Sequence, residues 1–392
     1  RSSFDGLKTE SFASLLAAGR IRWIPDAVLD AFVDAVLALR MGSGALSDLS
    51  VVYTPLHGTG YKMVPEILTR IGVKHLYTVP EQMISDGNFP TVKKPNPEFA
   101  EVFKLGIEIA EKVGSDLVVA TDPDADRVGV VTRTSNGDFM TITGNQMGAL
   151  LIDYIISAYE KTGTMPSEPY VVKSIVSTEL ASKICKAHGV TIHNVLTGFK
   201  FIGEVIKKYE AEGHGTFIFG FEESYGYLKG TYARDKDAVV ASMLICEMAA
   251  FYRTKGISLI EARKRMYDEY GVYFNKLENF TCEGASGMER MSEIMTDLRT
   301  NGPKSIGGLA VEAVADYEAS VKTYTDGKTE KITLPKSNVI TFFLQDNASV
   351  VIRPSGTEPK IKVYYTTTGA KKENAVALQQ KLSADFTKAL GF

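Results

Sequence analysis

Three aspartates stand at alternate positions in the string Asp122-Pro123-Asp124-Ala125-Asp126-Arg127, directly after the apolar run Asp116–Thr121. Carboxylates this close raise one another's pKa values unless a cation neutralises them. An all-oxygen donor set suits a hard divalent ion. Mg²⁺ fits best, because it keeps water or phosphate oxygens as its remaining ligands. Arg127 cannot ligate a metal, but its fork can clamp a phosphate beside one. The same string also reads as a solvated acidic turn with Arg127 as its counter-charge. Asp124-Ala125-Asp126-Arg127-Val128 further fits the nucleophile pattern of aspartyl-phosphate phosphatases. An EF-hand does not fit, because Arg127 and Arg133 occupy the sixth and twelfth positions, where Gly and Glu are required.

Four further strings carry chemistry. Arg353-Pro354-Ser355-Gly356-Thr357-Glu358-Pro359 combines an Arg fork, two hydroxyls and a glycine that permits close backbone approach. A phosphate dianion requires such a set, although a Pro/Gly turn with incidental hydroxyls has the same composition. Gly220-Phe221-Glu222-Glu223-Ser224-Tyr225-Gly226 ends a strand with two carboxylates and a hydroxyl, which suits paired sugar hydroxyls and equally a charged strand end. Thr197-Gly198-Phe199-Lys200-Phe201 opens a helix, whose first amides favour anions. Arg234-Asp235-Lys236-Asp237 could add Lys236 to a phosphate pocket or form a solvated charge run. His57 reads as a satisfied turn histidine. Gly58-Thr59-Gly60 lacks the third glycine of a dinucleotide fingerprint.

The elements that must position these strings follow a βα rhythm. Val28, Leu29, Phe32, Val36 and Leu37 form a helical stripe after Pro25, and Leu49–Thr54 reads as a strand leading into a helix that ends at Gly72. A strand at 73–79 precedes a long irregular segment, 80–97, of the kind that is functional or disordered inside a compact domain. A helix over 98–113 and a strand over 116–121 deliver the acidic loop. Segments 128–132 and 139–143 form a hairpin around Asn136-Gly137-Asp138, and Thr143 with Gln146 has the spacing of a capping box. The rhythm repeats through strands at 171–176, 190–196 and 216–220 and helices at 178–188, 201–211, 238–254 and 258–270. After about 275 it changes to an α+β pattern ending in a helix at 372–389. The expected class is two successive α/β domains with mixed sheets, followed by an α+β domain. The expected division is a residual segment or linker at 1–20, then domains at 21–143, 144–275 and 276–392.

Composition narrows the partners. Net charge is −3, from 44 Lys and Arg against 47 Asp and Glu, so no global field draws the chain to nucleic acid or to an anionic membrane. Cys185, Cys246 and Cys282 form no CxxC pair and no disulfide framework; they read as buried small hydrophobes in a reducing cytoplasm. The longest apolar stretch, 238–252, is broken by Glu247 and falls short of the roughly 20 residues of a membrane span. The first residues, from Arg1 to Gly6, contain no initiator Met and no apolar signal core, so the chain is expected to begin inside a longer protein.

In their order and spacing, the strings resemble the α-D-phosphohexomutase superfamily of phosphoglucomutases and phosphomannomutases, from about Ile21 to the end. That resemblance implies a last domain like the TATA-binding protein. It implies Mg²⁺ held by Asp122, Asp124 and Asp126, and a reacting phosphoryl group met by Arg127. Thr197, Gly198, Glu222 and Ser224 would meet the sugar. Arg353, Ser355, Gly356 and Thr357, helped by Lys236, would bind the phosphate that does not react. The implied partners are a hexose phosphate and a hexose bisphosphate intermediate, with Glu222-Glu223-Ser224 closer to the phosphoglucomutase form of the sugar loop. Phosphomannomutase, phosphopentomutase, a metal-dependent phosphatase and a non-catalytic sugar-phosphate binder are the alternatives. One departure stands out. The family's Thr-Ala-Ser-His-Asn-Pro phosphoserine loop does not occur, and none of the five histidines follows a serine. The missing N-terminal domain of the same polypeptide is therefore expected to supply it, and the chain alone is expected to be inactive.

Overall fold

The structure, a computed structural model, describes residues 6, 8–42, 44–282, 286–356 and 358–392. In the first unit, α1 (Phe12–Ala17) and α2 (Asp26–Leu37) precede β1 (Ser50–Thr54), α3 (Gly60–Arg70), β2 (His75–Thr78) and α4 (Lys104–Val113). They are followed by β3 (Leu117–Thr121), β4 (Val128–Arg133) and β5 (Phe139–Ile142). The strands form a sheet in the order β2-β1-β3-β4-β5, parallel among the first three and antiparallel from β3 onward. β3 is buried along its whole length. This is why Leu117-Val118-Val119-Ala120-Thr121 reads as a continuous apolar run with no alternation.

The second unit runs through α5 (Gly144–Thr162), β6 (Pro169–Ser174), α6 (Leu180–Ala187), β7 (Thr191–Val195), α7 (Phe199–Glu212) and β8 (Thr216–Phe221). It continues with β9 (Tyr227–Leu228), α8 (Ala238–Thr254) and α9 (Leu259–Tyr270). Its sheet has the order β7-β6-β8-β9, with only β9 antiparallel. α5 opens on the Thr143/Gln146 capping box expected from the sequence. β6 begins and ends two residues earlier than the sequence pattern indicates, because the Ser174 and Ser177 hydroxyls close a turn at 2.8 Å.

One hydrophobic cluster runs from Val33 to Tyr270 through both units. Its spine is α8, of which nearly every residue is buried, and this accounts for the long apolar stretch at 238–252. Glu247, fully buried within it, accepts from Arg40 Nε at 2.8 Å and from the Met41 N–H at 2.9 Å. A buried carboxylate needs such partners. Among the described residues no helix is long and apolar enough to cross a membrane.

The third unit comprises β10 (Val272–Thr281), α10 (Gly287–Asn301), β11 (Ser305–Ile306), β12 (Leu309–Asp316), β13 (Val321–Tyr324) and β14 (Thr329–Lys331). It closes with β15 (Ile340–Leu344), β16 (Ser349–Pro354), β17 (Lys360–Gly369) and α11 (Lys372–Ala389). Its sheet is antiparallel, in the order β10-β17-β16-β15-β12-β13-β14, with β11 paired to β12. β10 starts at Val272, so the first strand of this sheet straddles the boundary expected at 275/276. Met291, Met295, Leu382 and Phe386 from α10 and α11 cover one face. On the other face Ala315, Tyr317, Val351 and Tyr364 pack on Val176 and Leu196 of the second unit. That contact joins the second and third units.

Candidate functional site

The acidic loop turns sharply at the end of β3. Asp122 is fully buried, and its Oδ1 accepts from the Asp126 N–H at 3.1 Å and the Arg127 N–H at 2.9 Å. Its Oδ2 accepts from Arg127 Nε at 2.6 Å. The Asp122, Asp124 and Asp126 carboxylates bring oxygens within 4.8 Å of one another, with Asp124 exposed and Asp126 half-buried. Burial pushes the Asp122 carboxyl up to about 6 against the opposing pull of Arg127, and Asp126 adds a smaller push. The repulsion expected from the sequence is thus present, but desolvation is the larger cause. One buried and two more accessible carboxylates from a single turn fit a hard divalent cation that keeps part of its shell for other oxygens.

Backbone contacts hold this loop from both sides. The Thr59 N–H donates to Pro123 O at 2.7 Å, and a Cβ added at Gly58 would fall 2.3 Å from Pro123 Cα, so only glycine fits there. The Ala238 N–H donates to Ala125 O at 3.1 Å. The Val128 N–H donates to Tyr225 O at 3.1 Å, and Arg127 forms a β-bridge with Gly226. The acidic loop of the first unit and the Gly220–Gly226 loop of the second are therefore joined by backbone hydrogen bonds. Lys236, associated in the sequence with a phosphate pocket, is bound to the acidic loop. Its Nζ lies 2.6 Å from Asp126 Oδ2 and 3.0 Å from Asp235 Oδ1.

In the Gly220–Gly226 loop, Glu222 is 5% exposed and its Oε1 accepts from the Gly198 N–H at 2.7 Å. Gly198 has φ +123°, a conformation that favours glycine, and it caps α7 beside half-buried Thr197. Burial raises the Glu222 carboxyl; the Gly198 N–H, Lys236 and, further off, Arg353 pull it down. Glu223 accepts from Ser174 Oγ at 3.1 Å and is pushed up to about 7 by burial and then by Glu222. Ser224 lines a cavity of about 250 Å³ together with Glu98, Glu223, Lys276, Lys362 and Tyr364.

Arg353 is the penultimate residue of β16, hydrogen-bonds Tyr364, and lies within electrostatic reach of Glu222. Beyond it the Ser355 N–H donates to Lys360 O at 2.7 Å, and Ser355 Oγ accepts from the Glu358 N–H at 3.3 Å. Gly356 is exposed; Thr357 lies outside the described residues.

Sequence reasoning passed over Glu98. The expected helix at 98–113 begins with a 3₁₀ turn at Ala100–Phe103, which leaves Glu98 outside it and 3.3 Å from Arg127 Nη1. The available signal was the irregular segment before it. His57 is a satisfied turn histidine: Nδ1 lies 3.0 Å from Ile84 O and Nε2 lies 2.8 Å from Thr91 Oγ1, so it anchors that segment.

Two mixed α/β sheets and an antiparallel third sheet, with the acidic, Glu222 and Arg353 segments at their strand ends, define a three-unit α/β and α+β architecture. Three family models match in order. Phosphoglucomutase/phosphomannomutase alpha/beta/alpha domain II covers residues 30–137, alpha/beta/alpha domain III covers 143–270, and the C-terminal domain covers 299–380. The phosphoglucomutase of Staphylococcus haemolyticus (strain JCSC1435) is 40% identical over 87% of this chain and 61% of its own length. That of Staphylococcus saprophyticus is 35% identical over 96% of this chain and 67% of its own length. Among solved structures, parafusin (phosphoglucomutase) from Paramecium in its open form aligns with a TM-score of 0.67 at 17% identity, covering 93% of this chain and 63% of that one. An N-acetylphosphoglucosamine mutase from Aspergillus fumigatus, in complex with GlcNAc-6P and magnesium, aligns with a TM-score of 0.51 at 14% identity, over 91% and 64% of the two chains. The chain belongs to the α-D-phosphohexomutase superfamily. It spans 61–67% of the length of these curated relatives.

Proposed function

We propose that the chain carries the metal, sugar and phosphate sites of a mutase that interconverts glucose 1-phosphate and glucose 6-phosphate. The phosphoserine would come from outside these 392 residues. The observation that carries this reading is the backbone hydrogen bonding between the acidic loop and the Gly220–Gly226 loop, with Arg127 at the junction. A group transferred between a serine and either end of a hexose needs the charge-neutralising groups and the sugar-reading groups in a fixed relation. The curated relatives named phosphoglucomutase support the sugar choice, and the magnesium in the Aspergillus complex supports the ion.

In this reading Asp122, Asp124 and Asp126 hold Mg²⁺, which supplies charge neutralisation at the transferring phosphoryl oxygens. Arg127 meets the same group. Glu222 and Ser224, with the Thr197–Gly198 turn, orient the sugar hydroxyls. Arg353, Ser355, Gly356 and Thr357 take the phosphate that does not react. The bisphosphate reorients, so that either phosphate can return to the serine. Lys236, whose Nζ is 2.6 Å from Asp126 Oδ2, would act from the acidic loop in this reading.

The 392-residue chain is expected to bind glucose 1-phosphate in Mg²⁺, measured by calorimetry, and to show no turnover in a coupled assay. Robust turnover by the isolated chain would overturn the external serine. A longer chain that includes a Ser-His-Asn loop should favour glucose phosphates over mannose and pentose phosphates, and Asp126→Asn should lower its kcat at least a hundredfold. Preference for mannose or ribose phosphate would overturn the sugar choice.

A further inference from the structure

The irregular segment at 80–99 has no regular strand or α-helix, yet it is tied down at every stage. Fully buried Gln82 bonds Thr54 at 2.5 Å and Thr91 at 2.9 Å, and His57 bonds Ile84 and Thr91. Further on, the Glu98 N–H donates to Asn96 Oδ1 at 2.9 Å, which closes a tight turn around Pro97. That turn sits directly on β4: a Cβ at Gly129 would lie 2.5 Å from Pro97 O. A side chain at 129 would push the turn away. What this anchoring delivers is one carboxylate, Glu98, 3.3 Å from Arg127 Nη1.

We infer that Glu98 is a positioning residue for Arg127; the inference rests on the reading above, in which Arg127 meets the reacting phosphoryl group. The guanidinium is gripped at two separate nitrogens, Nε by Asp122 at 2.6 Å and Nη1 by Glu98 at 3.3 Å. One carboxylate leaves a planar fork free to swing about its stem; two on different edges fix its plane. The second grip comes from a different part of the chain, so the orientation of Arg127 depends on the docked 80–99 segment as well as on its own loop. Glu98 also lines the cavity beside Ser224, which places the restraint next to the sugar loop.

The test is a double-mutant cycle on this chain, reading glucose 1-phosphate affinity by calorimetry in saturating Mg²⁺, with thermal midpoints recorded for every variant. Glu98→Ala should weaken binding about tenfold with a thermal midpoint close to that of the parent. Glu98→Gln, which keeps an acceptor oxygen, should restore most of the affinity. In an Arg127→Ala background, Glu98→Ala should change affinity less than twofold. An equal loss in both backgrounds overturns the inference, because Glu98 then acts without Arg127. Unchanged binding in Glu98→Ala, where Arg127→Ala alone weakens it, overturns the inference and leaves the functional reading intact. Unchanged binding in Arg127→Ala overturns both.

Discussion

Glu223 stands next to Glu222 but takes a different partner, accepting from Ser174 Oγ. Its carboxyl is pushed from 4.5 up to about 7 by burial and by Glu222. A carboxyl raised on folding contributes stability that is full below its ordinary pKa and is lost as pH rises through the folded value. The parent should therefore lose stability as pH rises from about 4.5 through about 7, and Glu223→Gln should lose less, because Asp122 still titrates there. The expected readout is a difference in thermal midpoint, variant minus parent, that grows over that range; a pH-independent difference would sink the assignment. Glu222 is also raised by burial, but a backbone N–H and nearby cations pull against it. Two adjacent glutamates just past the end of β8 thus have different partners, the Gly198 N–H for Glu222 and the Ser174 hydroxyl for Glu223.

Among the elements, α5 shows how packing overrides propensity. Gly144 is its first residue, where alanine would ordinarily improve a helix by up to about 1 kcal/mol. Here a Cβ would fall 2.1 Å from Glu223 O. Gly144→Ala should instead cost about 1–3 kcal/mol, as overpacked sites do, and, on the proposed function, should weaken glucose 1-phosphate binding by displacing the Gly220–Gly226 loop. Urea unfolding and calorimetry on the same variant check both effects, and a stabilised variant would show that the loop yields freely. Gly58 against Pro123 and Gly129 against Pro97 follow the same rule. These glycines are required by what approaches them and not by their own φ.

Over the whole molecule, the first two α/β units differ from the third in how they are joined. A single core runs from Val33 to Tyr270, with α8 inside it. The third unit has its own core under α10 and α11 and meets the second through a smaller apolar cluster. A fragment ending at Thr143 would expose the face that α8 covers, and it should not fold. A fragment covering 21–270 should unfold in one cooperative transition. Circular dichroism and urea titration of the two fragments test this, and an independently folded 21–143 fragment would contradict the shared core.

Much of the architecture was legible because it rests on local rules. The apolar run of β3, the capping box of α5 and the final helix at 372–389 appear where period and capping chemistry place them. The candidate metal loop was legible for a similar reason: three alternate carboxylates after a buried strand have few uses. The partners of those carboxylates were not. That Lys236 lies on Asp126, that Glu98 grips Arg127, and that Arg127 bridges to Gly226 depend on segments tens to more than a hundred residues apart. Nothing in the spacing of Arg234-Asp235-Lys236-Asp237 indicates which loop the lysine will meet. The sequence by itself determined the types of chemistry and the order of the elements, because helix caps, strand runs and carboxylate spacing act within a few residues. Only the tertiary structure decided which charges meet and which glycines are irreplaceable, because those depend on where two distant backbones come into contact.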